Sequence, residues 1–402
     1  LVDMSVDTSP RIARLREDPG ALEELWREVT AAGTPLIEPW GDDTYLVTFL
    51  WRGQAESTSV GWGLELSLTR HAGTDLWYGS QLLPADLRTI YYFRHDEVDG
   101  THALPTDPDG VGLSHIDPHN PHVVKFFGDP EDPTDFDQWT SLLELPGAPD
   151  ETWTRPREGV AKGSLLPLSI ESAALGEARR VCAYLPAGVP TDGLPVLVVF
   201  DGYISRTVLR IPTALDNLIA AGRIPPLVAL FVTSPNDRRD DELSPAPSIL
   251  DFTTRELMPW ARQRWRVSAD PKDHVISGSS RGGLAAAYVA LRAPDVFGAV
   301  ISQSGSFWWP SPQEGEPEWL TREYERQPRV DVRFYLEVGD REDIAGPGGA
   351  PSQVVVNRRM RDVLRARGYA VTYAEYAGGH DYVNWRRTFA DALIAILGKP
   401  GF

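Results

Sequence analysis

The run Gly278-Ser279-Ser280-Arg281-Gly282-Gly283 constrains this chain more than any other six residues. An apolar segment, His274-Val275-Ile276-Ser277, precedes it, and Leu284, Ala287, Tyr288 and Leu291 follow on one helical face, with Pro294 beyond them. Strand, tight turn and amphipathic helix form the setting in which Gly-x-Ser-x-Gly holds a serine on a strained turn, the small residues letting strand and helix approach. A serine so placed is a nucleophile that needs a base, and the motif predicts a parallel α/β sheet around it.

The base is predicted from chain order. In α/β-hydrolases the nucleophile precedes the acid and the acid precedes the histidine. Only one histidine lies downstream of Ser280: His380, in Gly378-Gly379-His380-Asp381, after the strand-like Val371–Tyr376. The acid is expected after the strand Val332–Val338, where Asp340, Glu342 and Asp343 compete; a position three after Gly339 selects Glu342, with Asp340 the alternative. Its task is to orient the His380 ring and stabilise the imidazolium. The two oxyanion N–H groups are expected from Arg281 and from the loop Asp201-Gly202-Tyr203, which follows the apolar run Val196–Phe200.

Other apolar runs, among them Leu227–Val232, alternate with helical segments such as Leu215–Ala221 and Ser352–Arg367, as in a parallel sheet buried on both faces. Before about residue 155 the texture differs. Pro10 to Ala32 read as helical. Short aromatic and β-branched runs such as Tyr45–Trp51 and Thr89–Phe93 read as a β-sandwich, Pro105–Pro133 as long loops and Leu145–Gly163 as a linker. The expected organisation is an N-terminal all-β sandwich domain preceded by short helices over residues 1–155 and an α/β-hydrolase catalytic domain over 156–402. A chain of 402 residues is long enough for both.

A net charge of −18 argues against nucleic acid and anionic membranes as partners. No run reaches the roughly 18 apolar residues of a membrane helix, and Leu1–Pro10 lacks the pattern of a signal peptide. With a single cysteine, Cys182, in a strand-like run, a cytoplasmic protein with a buried structural thiol is expected. His115, His119 and His122 are close in sequence, but Pro118 and Pro121 break any regular face, so they are read as loop residues, with no metal or cofactor.

Several stretches resemble the enterochelin (ferric enterobactin) esterases. They are Gly278–Leu284, Pro294-Asp295-Val296-Phe297-Gly298, Ser302-Gln303-Ser304-Gly305-Ser306-Phe307-Trp308-Trp309, Gly378-Gly379-His380-Asp381 and Trp385-Arg386. In the N-terminal part Val47–Arg52, Gly73–Trp77 and Asp117–Pro121 are similar to that family's β domain. The resemblance implies hydrolysis of the ester bonds of a cyclic tri-serine lactone carrying three catechols, so that iron is released inside the cell. It carries Ser280 as nucleophile, His380 as base and Glu342 as acid, and Asp201-Gly202 as the loop pair. Tyr203-Ile204-Ser205-Arg206 departs from the residues expected next, which bears on fine specificity.

A ferric tris-catecholate is anionic and aromatic, so its site calls for guanidinium groups and aromatic faces. Arg206, Arg239, Arg281, Arg341 and Arg386, with Trp308, Trp309 and Trp385, fall in or beside the expected active-site loops of an otherwise acidic chain. The rival readings are an esterase or acyltransferase acting on carbohydrate esters with a sugar-binding β domain, and a siderophore-binding protein on an inactive hydrolase scaffold.

Overall fold

The computed structural model describes residues 9–96, 105 and 112–398. The chain forms two compact units that interleave in sequence. One takes in the residues up to Gly128 together with Phe136–Pro149 and Ala377–Asp381; the other takes in Asp129–Asp135, Asp150–Tyr376 and the residues from Tyr382 on.

In the first unit the helical stretch is two helices, Pro10–Glu17 and Leu22–Ala32, and not one. Asp18 between them is extended, at φ −134° and ψ 91°, which is the conformation a following proline favours. Ile12, Leu15, Leu22, Leu25 and Val29 pack with Leu36, Leu50 and Leu76. The strands form two antiparallel sheets. A four-stranded sheet runs Leu36–Pro39, Thr44–Arg52, Leu76–Pro84, Thr69–Arg70. A second runs Leu66–Ser67, Thr58–Trp62, Arg88–His95, Gln138–Glu144, Val123–Phe126, with Ser114–His115 also paired to Arg88–His95. Val47, Phe49 and Trp77 of the first share one core with Val60, Tyr91 and Phe93 of the second.

Two of those strands correct the loops expected over Pro105–Pro133, part of which lies at residues 106–111, outside the described residues. Pro, Asp and Gly dominate that stretch by composition and hide strands of two and four residues. His115 is accordingly no loop residue: it is buried, with Nε2 2.7 Å from Nε2 of His95. Among the described residues no group of three or more His, Cys, Asp or Glu is placed to hold a metal ion, and no helix is long and apolar enough to cross a membrane.

The second unit is built on an eight-stranded sheet. Its order is Ser164–Ser172, Glu177–Leu185, Val228–Val232, Val196–Val199, His274–Ser279, Ala299–Gln303, Arg333–Gly339, Val371–Tyr376. The first three pair antiparallel and the rest parallel. The four strands from Val228–Val232 to Ala299–Gln303 in that order are buried at every residue, and in two of them, Val196–Val199 and Val228–Val232, this gives an unbroken apolar run. The strand Ala299–Gln303 escaped the sequence reading because it ends in Ser302-Gln303, polar residues that a buried strand tolerates only with partners. Cys182 is a buried free thiol in Glu177–Leu185.

Candidate active site

The elbow strand His274–Ser279 lies in the middle of this sheet and hands the chain directly to the helix Arg281–Arg292. The residue between them, Ser280, has φ 56° and ψ −120°, a conformation costly for a residue with a side chain and typical of sites under functional constraint. The crossing is tight enough that a Cβ on Gly278 would stand 2.5 Å from the carbonyl carbon of Gly282. Ser280 N donates to Gln303 O at 2.9 Å and Ser306 N donates to Ser280 O at 3.0 Å, so the turn is tied to the neighbouring strand end on both sides. The Ser280 and Ser306 hydroxyls are 3.2 Å apart.

Ser280, Arg281, Ser306 and Trp308 line a cavity of about 350 Å³, together with Arg239 and Glu314. The Arg281 guanidinium lies over the Trp308 ring at 4.8 Å and donates through Nη1 to Ser244 Oγ at 3.0 Å. Burial draws its pKa down, and the carboxylates of Asp240 and Glu314 work against that. A delocalised cation stacked on indole is thus presented beside the serine, able to meet an anionic or aromatic group.

The carboxylates after Arg333–Gly339 differ in environment. Glu342 is buried. Its Oε1 accepts from Ser304 Oγ at 2.6 Å, from Gly339 N at 2.8 Å and from Tyr376 OH at 3.4 Å. Trp385 Nε1 in turn donates to Ser304 Oγ at 3.0 Å. The Asp340 side chain is 42% exposed, with Arg341 Nε 4.0 Å away. A carboxylate locked by three donors keeps one orientation; an exposed one does not. His380 stands in the loop between Val371–Tyr376 and the helix Tyr382–Leu397. Within the first unit Trp62 Nε1 donates to His380 O at 2.7 Å, and Thr89 Oγ1 to Asp381 Oδ2 at 2.6 Å.

Beneath the elbow lies a buried network centred on Gln303. Its Oε1 accepts from Ser279 Oγ at 3.3 Å, and its Nε2 donates to Glu337 Oε1 at 2.7 Å. Thr388 Oγ1 also donates to Glu337 Oε1, and Tyr335 OH to Oε2 at 3.0 Å. Burial pushes the Glu337 pKa up to about 7 against the pull of those three hydrogen bonds.

The remaining expected residues are placed as follows. Gly202 is buried and opens the helix Gly202–Thr207. Arg206 lies over Tyr203, 5.5 Å from the ring centre, and donates from Nε to Gly202 O at 3.2 Å. Trp309 packs edge-on against Trp319 at 5.9 Å. Two of the expected residues have partners within the protein. Trp385 is 2% exposed and serves Ser304. Arg386 is fastened to Glu151 Oε1 by Nε at 3.1 Å and Nη2 at 2.7 Å, so its guanidinium already has an anion. Ser304, Ser306 and Glu337 are the site residues the sequence reading passed over. The first two lie inside the Ser302–Trp309 stretch, but only the fold shows that one hydroxyl meets Glu342 and the other Ser280.

The family model described as "Putative esterase" matches residues 172–396. The chain is 31% identical to the iron(III) enterobactin esterase of Dickeya dadantii (strain 3937), over 96% of this chain and 95% of that protein. It is 28% identical to the iron(III) salmochelin esterase of Escherichia coli O6:H1, over 94% of each. The structure of the enterobactin esterase from Shigella flexneri, solved in the presence of enterobactin, superimposes with a TM-score of 0.71 at 25% identity, covering 93% of this chain and 97% of that one.

Proposed function

Because the chain belongs to the esterase family that includes the iron(III) enterobactin esterases, we propose that it is a serine esterase that hydrolyses the ester bonds of a catecholate siderophore trilactone. The observation that carries this reading is Ser280 on its strained elbow at the edge of a cavity walled by the Arg281–Trp308 stack. In this reading Ser280 Oγ attacks a lactone carbonyl and passes its proton to His380. The tetrahedral oxyanion is met by the backbone N–H of Arg281 and by one from Gly202 or Tyr203. The oxyanion collapses, the C–O bond to the leaving serine alkoxide breaks, and His380 returns the proton to that oxygen. Water, with His380 as base, then attacks the acyl-enzyme, frees the carboxylate and restores Ser280.

Glu342 is the acid in this scheme, and Asp340 is not. The support is the set of three donors on Glu342 Oε1, which leaves the carboxylate one orientation. Arg281 and Trp308 receive a catecholate ring and its charge, and Arg206 and Arg341 extend the cationic surround. The substrate is the ferric complex, whose negative charge the arginines match; the reaction takes place in the cytoplasm, where ring opening loosens the hold on iron. The domain frame of this reading is a β-sandwich within residues 1–155 and a hydrolase domain within 156–402, with short segments exchanged between the two compact units.

Incubation with iron-loaded and iron-free enterobactin, followed by chromatography of linear trimer, dimer and monomer, tests the reading. Stepwise appearance of linear products is expected. Intact trilactone in both incubations, with release of acid from feruloyl or acetyl sugars, would instead assign the site to carbohydrate esters.

A further inference from the structure

One oxyanion N–H is assigned to the loop Asp201-Gly202-Tyr203, and this loop is held from outside itself. Asp201 has left-handed backbone angles, φ 56° and ψ 46°, without a side-chain cap to its own helix. Gly202 lies flat on the neighbouring strand: a Cβ there would be 2.5 Å from the carbonyl carbon of Phe231. What fastens the loop is Arg239, whose Nε and Nη2 donate to Asp201 Oδ1 and Oδ2 at 2.6 and 2.7 Å, while Nη1 reaches Asp240 at 3.0 Å. The Asp201 side chain is 12% exposed. Its Oδ2 also lies 3.3 Å from where a Cβ would stand on Gly282, in the first turn of the elbow helix. Five residues on, Ser244 takes the side chain of Arg281. One short segment, Arg239 to Ser244, therefore braces both backbone stretches assigned to the oxyanion hole.

We propose that Arg239 is a positioning residue for the oxyanion hole, acting through Asp201, and is not a ligand for the anionic substrate. The inference rests on the serine-esterase reading above. Two physical effects support it. A bidentate guanidinium–carboxylate pair fixes the plane as well as the place of Asp201, and so the direction of the N–H groups that follow. The Asp201 carboxylate also lies beside the turn where negative charge develops in the transition state; left unpaired it would oppose that charge, and Arg239 cancels it. Asp201 takes up two of the three guanidinium nitrogens of Arg239 and Asp240 the third, which leaves the group poorly placed to bind a catecholate.

The test is a cycle of Arg239→Gln, Asp201→Asn and the double variant, assayed with p-nitrophenyl butyrate as well as the trilactone. The simple ester reads the oxyanion hole even where the siderophore is no substrate, so failure of the substrate assignment stays distinguishable from failure of this proposal. Arg239→Gln is expected to lower kcat about 100-fold with KM nearly unchanged. The double variant, in which a neutral amide pair replaces the ion pair, is expected to recover about tenfold of that loss. If Arg239→Gln unfolds early, Arg239→Lys, which keeps the charge but not the fork, is expected to show the same loss in kcat alone, to a smaller degree. A rise in KM with kcat intact, or a double variant no faster than Arg239→Gln, overturns the proposal.

Discussion

Ser280 faces its cavity from a backbone conformation that few residues adopt, and alanine can adopt it no better than serine does. Ser280→Ala is therefore expected to fold as the parent does and to lose about 10⁴-fold or more in kcat, while titration with the ferric trilactone still shows binding. A variant that kept its rate would place the nucleophile elsewhere. The choice of acid in the proposed mechanism follows the same logic. Glu342 is held by Ser304, Gly339 and Tyr376, whereas the Asp340 side chain is 42% exposed. Glu342→Gln is expected to cost about 10² to 10⁴ in kcat, and Asp340→Asn less than about threefold. Equal losses would mean that the two carboxylates share the role. Both results are read from steady-state kinetics with melting curves as the control for folding.

At the scale of elements, the site hangs on strand ends and the loops that leave them. Those loops were legible where a local rule fixes them: Gly-x-Ser-x-Gly needs a strand before it and a helix after it, and a sole downstream histidine needs no fold to be noticed. What the sequence hid were pairings between distant residues. Arg239 meets Asp201 across 38 positions, Arg386 meets Glu151 across 235, and Trp62 meets His380 across 318. An arginine looks the same in the sequence whether it faces solvent or, like Arg386, holds a carboxylate. The His380 loop illustrates the consequence. Trp62→Phe keeps an aromatic side chain while removing the indole N–H that donates to the His380 carbonyl. With His380 as the proposed base, it is expected to lower kcat about tenfold, with little change in KM, because that ring is less well placed. An unchanged kcat would show that the loop needs no such anchor.

At the scale of the whole molecule, the two units carry buried titratable groups that respond to pH in opposite senses. In the first unit, a carbonyl accepts from His115 Nδ1 at 2.6 Å, so His115 Nε2 accepts from His95 Nε2–H at 2.7 Å, and His95 Nδ1 accepts from Thr58 at 3.1 Å. With Thr58 as the donor, that chain has both rings neutral. Burial first, then the neighbouring ring, lowers the His95 pKa from 6.5 to about 4, with nearby Asp96 opposing; burial also lowers His115. A depressed histidine means the unfolded chain takes up protons first, so this unit loses stability as pH falls from 6.5 towards 4. In the second unit, Glu337 is raised from 4.5 to about 7, so the unfolded chain gives up its proton first. Its contribution is whole below pH 4.5 and is lost as pH rises to 7, on the order of 3 kcal/mol. Hydrogen exchange corrected for intrinsic rates can separate the two. Protection in Arg88–His95 is expected to fall on acidification, and protection in Ala299–Gln303 and Arg333–Gly339 to fall between about pH 5 and 7. Glu337→Gln, an isostere that keeps an acceptor for Gln303 and Thr388, should flatten the second profile and leave the first unchanged. If both profiles moved together, the units would be unfolding as one, and neither buried group would set the slope of its own part.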